Sequence, residues 1–382
     1  MKNGITRPDI TLVNWRLRPW STWTFHNASD IVPSTIIRGA RLPETARRGL
    51  GGLEKLAVRD TAGAGMALPD FLATSESDAF VVMRSGEIVA EWYADYCDPL
   101  KPHMIFSISK SVTGLLAGVL VGRGVISPDD RGDQFVPEAK GSAYGDVTLR
   151  DLLNMNVSID FDETYLDRNG MFDRYRRSML WNPENPADPA PDLKTFLCTI
   201  PKAGHDHGTR HAYRSPNVDM AAILLEKAAG ERFGQLFSDL IWQPMGAHDD
   251  AQITVDRAGN PRASGGMSMT ARDLARLGEL VRCGGRGIVP EDWISELWQG
   301  GNRAIWTAGD QSYLYPGGSY RHYWYDTGLG PLAGMGIHGQ WLWIDPATET
   351  VIVRLSSESV PINDDLDQAV IRIMQAISKT AI

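Results

Sequence analysis

Two stretches rich in strand-forming residues, one early and one near the far end, most narrow what this chain can fold into. Residues 79–83 and 88–93 flank the turn Arg84-Ser85-Gly86-Glu87 and read as a hairpin. Residues 340–345 and 350–355 flank Pro346-Ala347-Thr348 and read as a second one. Between them the pattern is mainly helical, with apolar residues at helical spacing over 148–155, 217–230 and 267–280, and a closing helix is expected over 364–379. Thr148 and Thr270 stand where N-caps belong, and the proline-rich stretch 182–191 cannot be helix interior. Strand-rich ends around a helical middle imply an α/β (α+β) fold: an antiparallel sheet, built from both ends of the chain, is flanked by helices and carries a helical insertion. The expected division is a sheet domain from 1–125 with 285–382 and a mainly helical domain over 126–284. Residues 1–75 are expected to wrap the body as an irregular arm pinned by Trp15, Trp20 and Trp23, and the cleft between domains is where a site is expected.

At 382 residues the chain is too long for one simple core. A net charge of −9 and the absence of any Lys/Arg run argue against nucleic acid as a partner. Cys97, Cys198 and Cys283 lie far apart without a C-x-x-C pair, so neither a disulfide framework nor a zinc cluster is indicated. The N-terminal residues show no apolar signal region, and the longest smooth apolar run, 114–122, is too short to span a bilayer. A cytoplasmic protein with no membrane partner is the expectation.

The chemistry-bearing stretch runs from Phe106 to Leu116, a hydroxyl-rich turn leading into an apolar helix. Ser107 and Lys110 form an S-x-x-K pair, and residues three apart share a helix face. A serine in the first turn meets unpaired N–H groups and the positive end of the helix dipole, which favour a developing anion. Burial and the same field would lower the lysine's pKa until it can accept the serine's proton. Tyr213, in the loop Tyr213-Arg214-Ser215-Pro216-Asn217, is a candidate acid/base that would complete a Ser–Lys–Tyr relay. Gly334-Met335-Gly336-Ile337-His338-Gly339-Gln340 enters the second hairpin, and an edge strand there could donate N–H groups to an oxyanion. His205-Asp206-His207 with His211 could look like metal ligands, but the pair lies in a Gly-flanked loop and no H-E-x-x-H occurs, so no metal or cofactor is expected. The α/β-hydrolase elbow G-x-S-x-G is also missing.

S-x-x-K, then Y-x-S, then a glycine-rich terminal strand is an order much more specific than any one element. From about residue 78 onward the sequence resembles the serine β-lactamase and penicillin-binding-protein superfamily, of the class C, carboxylesterase and D-aminopeptidase type. Within it the nylon-oligomer amidases, the 6-aminohexanoate-dimer hydrolases, are more similar still. That likeness is carried by 106–111, Asp162-Glu163-Thr164-Tyr165-Leu166-Asp167, Tyr213 with Ser215, Gly265-Gly266 before 270–276, and 336–346. It implies a β-lactamase/transpeptidase-like fold and an acyl-enzyme on Ser107, with Lys110 as base and Tyr213 as proton donor to the leaving group. It further implies an oxyanion hole from the backbone N–H groups of Ser107 and Ile337, and a Tyr165 that closes over substrate. Ser215, Arg176, Ser264 and His338 fall at substrate-binding positions of the same alignment.

Three departures narrow the substrate. The lactamases' K-T-G triad aligns with Gly334-Met335-Gly336, so the lysine that anchors a β-lactam carboxylate is missing. Aligned through Trp181, Arg176 stands where the efficient nylon-oligomer enzymes carry an aspartate for the substrate ammonium, and Ser264 replaces an amide side chain. A carboxylate or neutral end is thereby favoured over a cationic one. The expected function is a serine hydrolase of linear amides or carboxylic esters acting on a small molecule, with a homodimer left open. The alternatives are a short-chain carboxylesterase or D-amino-acid peptidase of the same fold, or a catalytically silent penicillin-recognising protein.

Overall fold

The computed structural model describes residues 6–43, 48–165 and 169–380. The first five residues, and Leu166 and Asp167 of the tyrosine-bearing segment, lie outside them. Seven strands form the main sheet: Ser77–Arg84 (β1), Glu87–Tyr93 (β2), Ser319–Arg321 (β3), Trp324–Asp326 (β4), Leu332–Gly336 (β5), Gln340–Asp345 (β6) and Thr350–Ser356 (β7). Their order is β2-β1-β7-β6-β5-β4-β3, and every neighbouring pair is antiparallel. Both expected hairpins are present. The first turns through Ser85 (φ 48°) and Gly86 (φ 86°), the pair of positive angles that suits a two-residue turn between twisted strands. The hairpins meet at the centre, where Val81 faces Val353 and Val82 faces Ile352.

Five helices position the site: Ile108–Gly122 (α1), Met171–Ser178 (α2), Ser215–Ala229 (α3), Ala271–Arg282 (α4) and Asp364–Lys379 (α5). α3 stops at Gly230, whose φ of 70° is the left-handed cap expected of a glycine there. α4 begins later than the apolar pattern suggests. The Thr270 side chain accepts a hydrogen bond from the Asp273 N–H, which fixes the cap, and Met267–Met269 before it is extended and pairs with Ala251–Thr254.

Side-chain alternation sorts the layers. A Cβ added to Gly278 of α4 would touch Leu342, Ile344 and Val351, and one added to Gly334 would touch Ile108 and Ser111 of α1, so these two helices cover one sheet face. Trp341, pointing the other way, interacts with Asp367 of α5. α4 therefore belongs to the sheet layer, and the helical unit does not extend to residue 284 as the sequence pattern suggested. Amphipathic spacing marks a helix but not the surface it packs on.

The arm is also more regular than expected. Ser34–Ile37 joins a second sheet with Ala251–Thr254, Met267–Met269 and His103–Met104, and Ala57–Arg59 pairs with Gly65–Ala67. Trp15 and Phe25 are fully buried, whereas Trp20 and Trp23 are half-buried. Burying a side chain of this size contributes roughly 1.5–3 kcal/mol. Among the described residues no helix is long and apolar enough to cross a membrane.

Candidate active site

Ser107 sits at the cap of α1, in helical conformation, directly after Phe106, whose φ of 40° is left-handed and strained for a bulky residue. Phe106 is held there by edge contacts with Phe25 of the arm at 4.8 Å and with Trp181 at 6.3 Å. The turn aims the serine across to the next turn of its own helix. Lys110 Nζ donates to Ser107 Oγ at 2.7 Å and to the Ser264 carbonyl at 2.6 Å.

Burial drives the Lys110 pKa down to about 7, with Arg262 adding to the effect and Glu163 and Asp219 opposing it. An amine that is half neutral at physiological pH can take a proton from the hydroxyl it touches. The Tyr213 phenol is pushed well up by burial, and its hydrogen-bonding neighbours Ser107 and Tyr325 pull it part of the way back. Its ring lies 4.9 Å from Lys110 Nζ. Serine and lysine, one helical turn apart, thus share one site with a tyrosine distant in sequence.

β5 comes so close to Ser107 that a Cβ on Gly336 would meet the Ile105 carbonyl at 2.8 Å and the Ser107 nitrogen at 3.0 Å. Only glycine permits that approach, and it brings the following residue, Ile337, into the same pocket wall as Ser107. The turn after β5 is pinned by buried Gln340. Its Nε2 donates to the carbonyls of Ile337, His338 and Ser356 at 3.2, 2.8 and 2.7 Å, and its Oε1 accepts from the Ser356 N–H.

The remaining candidates divide. Tyr165 lines the pocket with Ser107 and Tyr213, and its hydroxyl donates to Glu163 at 2.9 Å. Ser215 does not line it. Its N–H and hydroxyl donate to Glu163 at 2.5 and 2.6 Å, which leaves this side chain bracing the start of α3. Ser264 is likewise turned away from the cavities: it is buried, its hydroxyl is held by Arg262, and its carbonyl rather than its side chain meets Lys110. Both placements share a cause, because a buried hydroxyl takes the nearest charged partner. Arg176 and His338 line a neighbouring groove. His338 Nδ1 donates to the Glu358 carbonyl at 2.7 Å, and burial lowers its pKa to about 4, so the ring is neutral.

Three groups escaped sequence reading. Glu163 ties Tyr165 to Ser215, while Asp219 accepts from the Ser264 N–H at 2.7 Å and pairs with Arg262 at 2.5 Å, setting the carbonyl that holds Lys110. Each depends on a partner distant in sequence, and no local motif marks them. The His205/His207 loop is occupied structurally: His207 accepts from the Ser158 N–H at 3.0 Å and its other nitrogen meets Asp146 at 3.0 Å. Among the described residues the side chains within mutual metal-ligand reach are instead His26, Asp78 and His103, where His103 and Asp78 form a buried 2.9 Å pair.

A model of the beta-lactamase family matches residues 68–374. The 6-aminohexanoate-dimer hydrolase of Paenarthrobacter ureafaciens is 36% identical over 364 residues, 93% of this chain and 90% of the relative. A solved structure, provisionally named a 6-aminohexanoate-dimer hydrolase from Bacillus anthracis, superposes with a TM-score of 0.87 at 23% identity, covering 99% of both chains. The hydrolase EstCE1, described as having promiscuous acyltransferase activity, shares the fold with a TM-score of 0.61 at 18% identity, over 79% of this chain and 95% of its own. With that extent of match, the chain belongs to the beta-lactamase family and is a hydrolase of the serine β-lactamase fold.

Proposed function

We propose that this hydrolase cleaves linear amides or carboxylic esters through an acyl-enzyme on Ser107. The observation that carries the reading is the 2.7 Å contact between Ser107 Oγ and a buried Lys110 whose pKa lies near 7. Lys110 takes the hydroxyl proton as Ser107 Oγ attacks the substrate carbonyl. The backbone N–H groups of Ser107 and Ile337 hold the tetrahedral oxyanion, in the gap that Gly336 keeps narrow. As the carbonyl re-forms, the C–N or C–O bond breaks and Tyr213 protonates the departing amine or alcohol. Water, giving its proton back through the same groups, then attacks the ester on Ser107 and releases the acid.

The likeness to 6-aminohexanoate-dimer hydrolases supports an amide as substrate. Gly334-Met335-Gly336 supports exclusion of β-lactams, because no lysine stands there to hold the lactam carboxylate. Incubation with a fluorophosphonate followed by mass spectrometry is expected to add one label, on the peptide containing Ser107, and none in Ser107→Ala. An unlabelled wild type, or equal labelling of the variant, would overturn the acyl-enzyme.

A further inference from the structure

His26, Asp78 and His103 come from three places that no sequence motif links: the N-terminal arm, β1, and the short strand His103–Met104 that runs up to Ser107. One ligand atom of each lies within 4.8 Å of the other two. None of the three lines the catalytic pocket, so the chemistry proposed there gives the cluster no task.

The hydrogen bonding of His103 is one positive charge short. Its Nδ1 lies 2.7 Å from the Met104 carbonyl, which can only accept, so Nδ1 carries a proton. A neutral ring then turns the lone pair of Nε2 toward Asp78 Oδ2 at 2.9 Å, one acceptor facing another. A second ring proton or a metal ion resolves the conflict. His26 argues for the ion. Its Nδ1 is buried without a hydrogen-bond partner among the described residues, and its Nε2 lies 3.3 Å from Cys97 Sγ. An orphaned buried nitrogen is a place for an ion or a water. Burial lowers the His26 pKa to about 3, so the ring is neutral and keeps a lone pair to lend.

The surroundings fit the same reading. Asp78 and His103 are fully buried, whereas His26 and Cys97 are half-buried and leave a way in from solvent. Asp78 Oδ1 accepts from the Tyr96 hydroxyl at 2.5 Å and from Ser357 at 3.0 Å, which directs Oδ2 to the centre, as the Met104 carbonyl directs the His103 ring. Outer contacts of this kind orient the ligands of metal centres. Two imidazoles and a carboxylate are a donor set that holds zinc at about 2.0–2.2 Å with a fourth position open, which spaces the ligand atoms roughly 3.3 Å apart.

We infer that His26, Asp78 and His103 form a site for a divalent ion of the zinc type, which fastens the arm to β1 and to the strand before Ser107. On binding, the 2.9 Å pair parts slightly and His26 turns inward. The ion's role is structural. Phe25, next to His26, meets His103 at 5.9 Å and Phe106 at 4.8 Å, so the site steadies the residues that back Ser107. Nitrogen ligands select zinc over magnesium or calcium.

The test takes the full chain, freed of metal with EDTA, and titrates it with zinc chloride. One equivalent is expected to bind per chain and to raise the melting temperature by several degrees, while calcium chloride leaves it unchanged. His26→Gln should weaken zinc binding by about tenfold or more and lose the thermal shift, with its circular dichroism unaltered. Anomalous diffraction at the zinc edge, from wild-type crystals, should place the ion among the three side chains, and that result stands even if the variant does not fold. The assignment is overturned by the absence of stoichiometric zinc, by an anomalous peak elsewhere, by an equal shift with calcium, or by zinc binding unchanged in His26→Gln. His103 is then simply the protonated partner of Asp78.

Discussion

Below pH 7 the folded protein holds Lys110 charged inside a buried site, and in that range the unfolded chain holds it charged in water. The folded pKa of about 7 lies below the ordinary 10.5, so this destabilisation is complete at low pH and shrinks as pH rises from 7 toward 10.5. Replacing the lysine by an apolar side chain of similar length should remove the cost. Lys110→Met is expected to raise the melting temperature at pH 6, by about 2 °C for each kcal/mol recovered, while abolishing turnover. Calorimetry beside an ester assay checks both; an unchanged or lower melting temperature would contradict the cost. The same pKa sets the rate profile. With the neutral amine as base in the proposed mechanism, kcat/KM should climb with pH through a limb centred near 7, and Lys110→Ala should lose the limb together with about 10²–10⁴-fold in rate. A flat profile between pH 5 and 9 would dissociate Lys110 from the chemistry.

At the scale of elements, the question is how β5 and the turn after it are kept against α1. Gly336→Val places atoms where the Ile105 carbonyl and the Ser107 nitrogen already are, so the strand must retreat and the proposed oxyanion hole opens. The expected loss is about 10²–10³ in kcat with circular dichroism unchanged. Gln340→Leu acts on the same turn from behind, freeing three carbonyls and one N–H, and should lower kcat more than it raises KM. Ile337→Ala leaves its backbone N–H in place and is expected to cost far less than Lys110→Ala. Comparable losses from those two would argue against a backbone role for Ile337. Legibility divides along the same line. The hairpins, the Thr270 cap and the closing helix were readable because each is encoded by neighbours within one turn or one strand. Glu163 was not readable, although it stands beside Tyr165, because its partner Ser215 lies 52 residues away and only the fold joins them. Asp219 and Arg262 were hidden for the same reason, and the sequence does not reveal which buried charge holds the hydroxyls of Ser215 and Ser264.

For the whole molecule, the arm had no legible chemistry. Its aromatic residues indicated attachment but not the surface they would meet. Trp15 lies edge-on to Trp181 at 5.2 Å and donates to the Trp181 carbonyl at 3.1 Å, so the arm is fastened next to Phe106 and the nucleophile. Trp15→Ala is expected to cost about 3–5 kcal/mol in urea unfolding and to reduce activity before global unfolding, because Phe106 loses part of its backing. An activity loss that only parallels unfolding would leave the arm a purely structural strap. One further consequence follows from the junction of β1 and β7. During synthesis β1, β2 and α1 emerge early, yet β7, the partner on the other edge of β1, arrives only near the end, and so does the glycine that closes on Ser107. The nascent chain must carry an open strand edge with the apolar run 79–83 for most of its time on the ribosome, an edge that invites aggregation or a chaperone. Ser107 is made early, but the proposed oxyanion hole stays incomplete until Gly336 and Ile337 arrive, so the proposed site cannot assemble before the sheet that closes it.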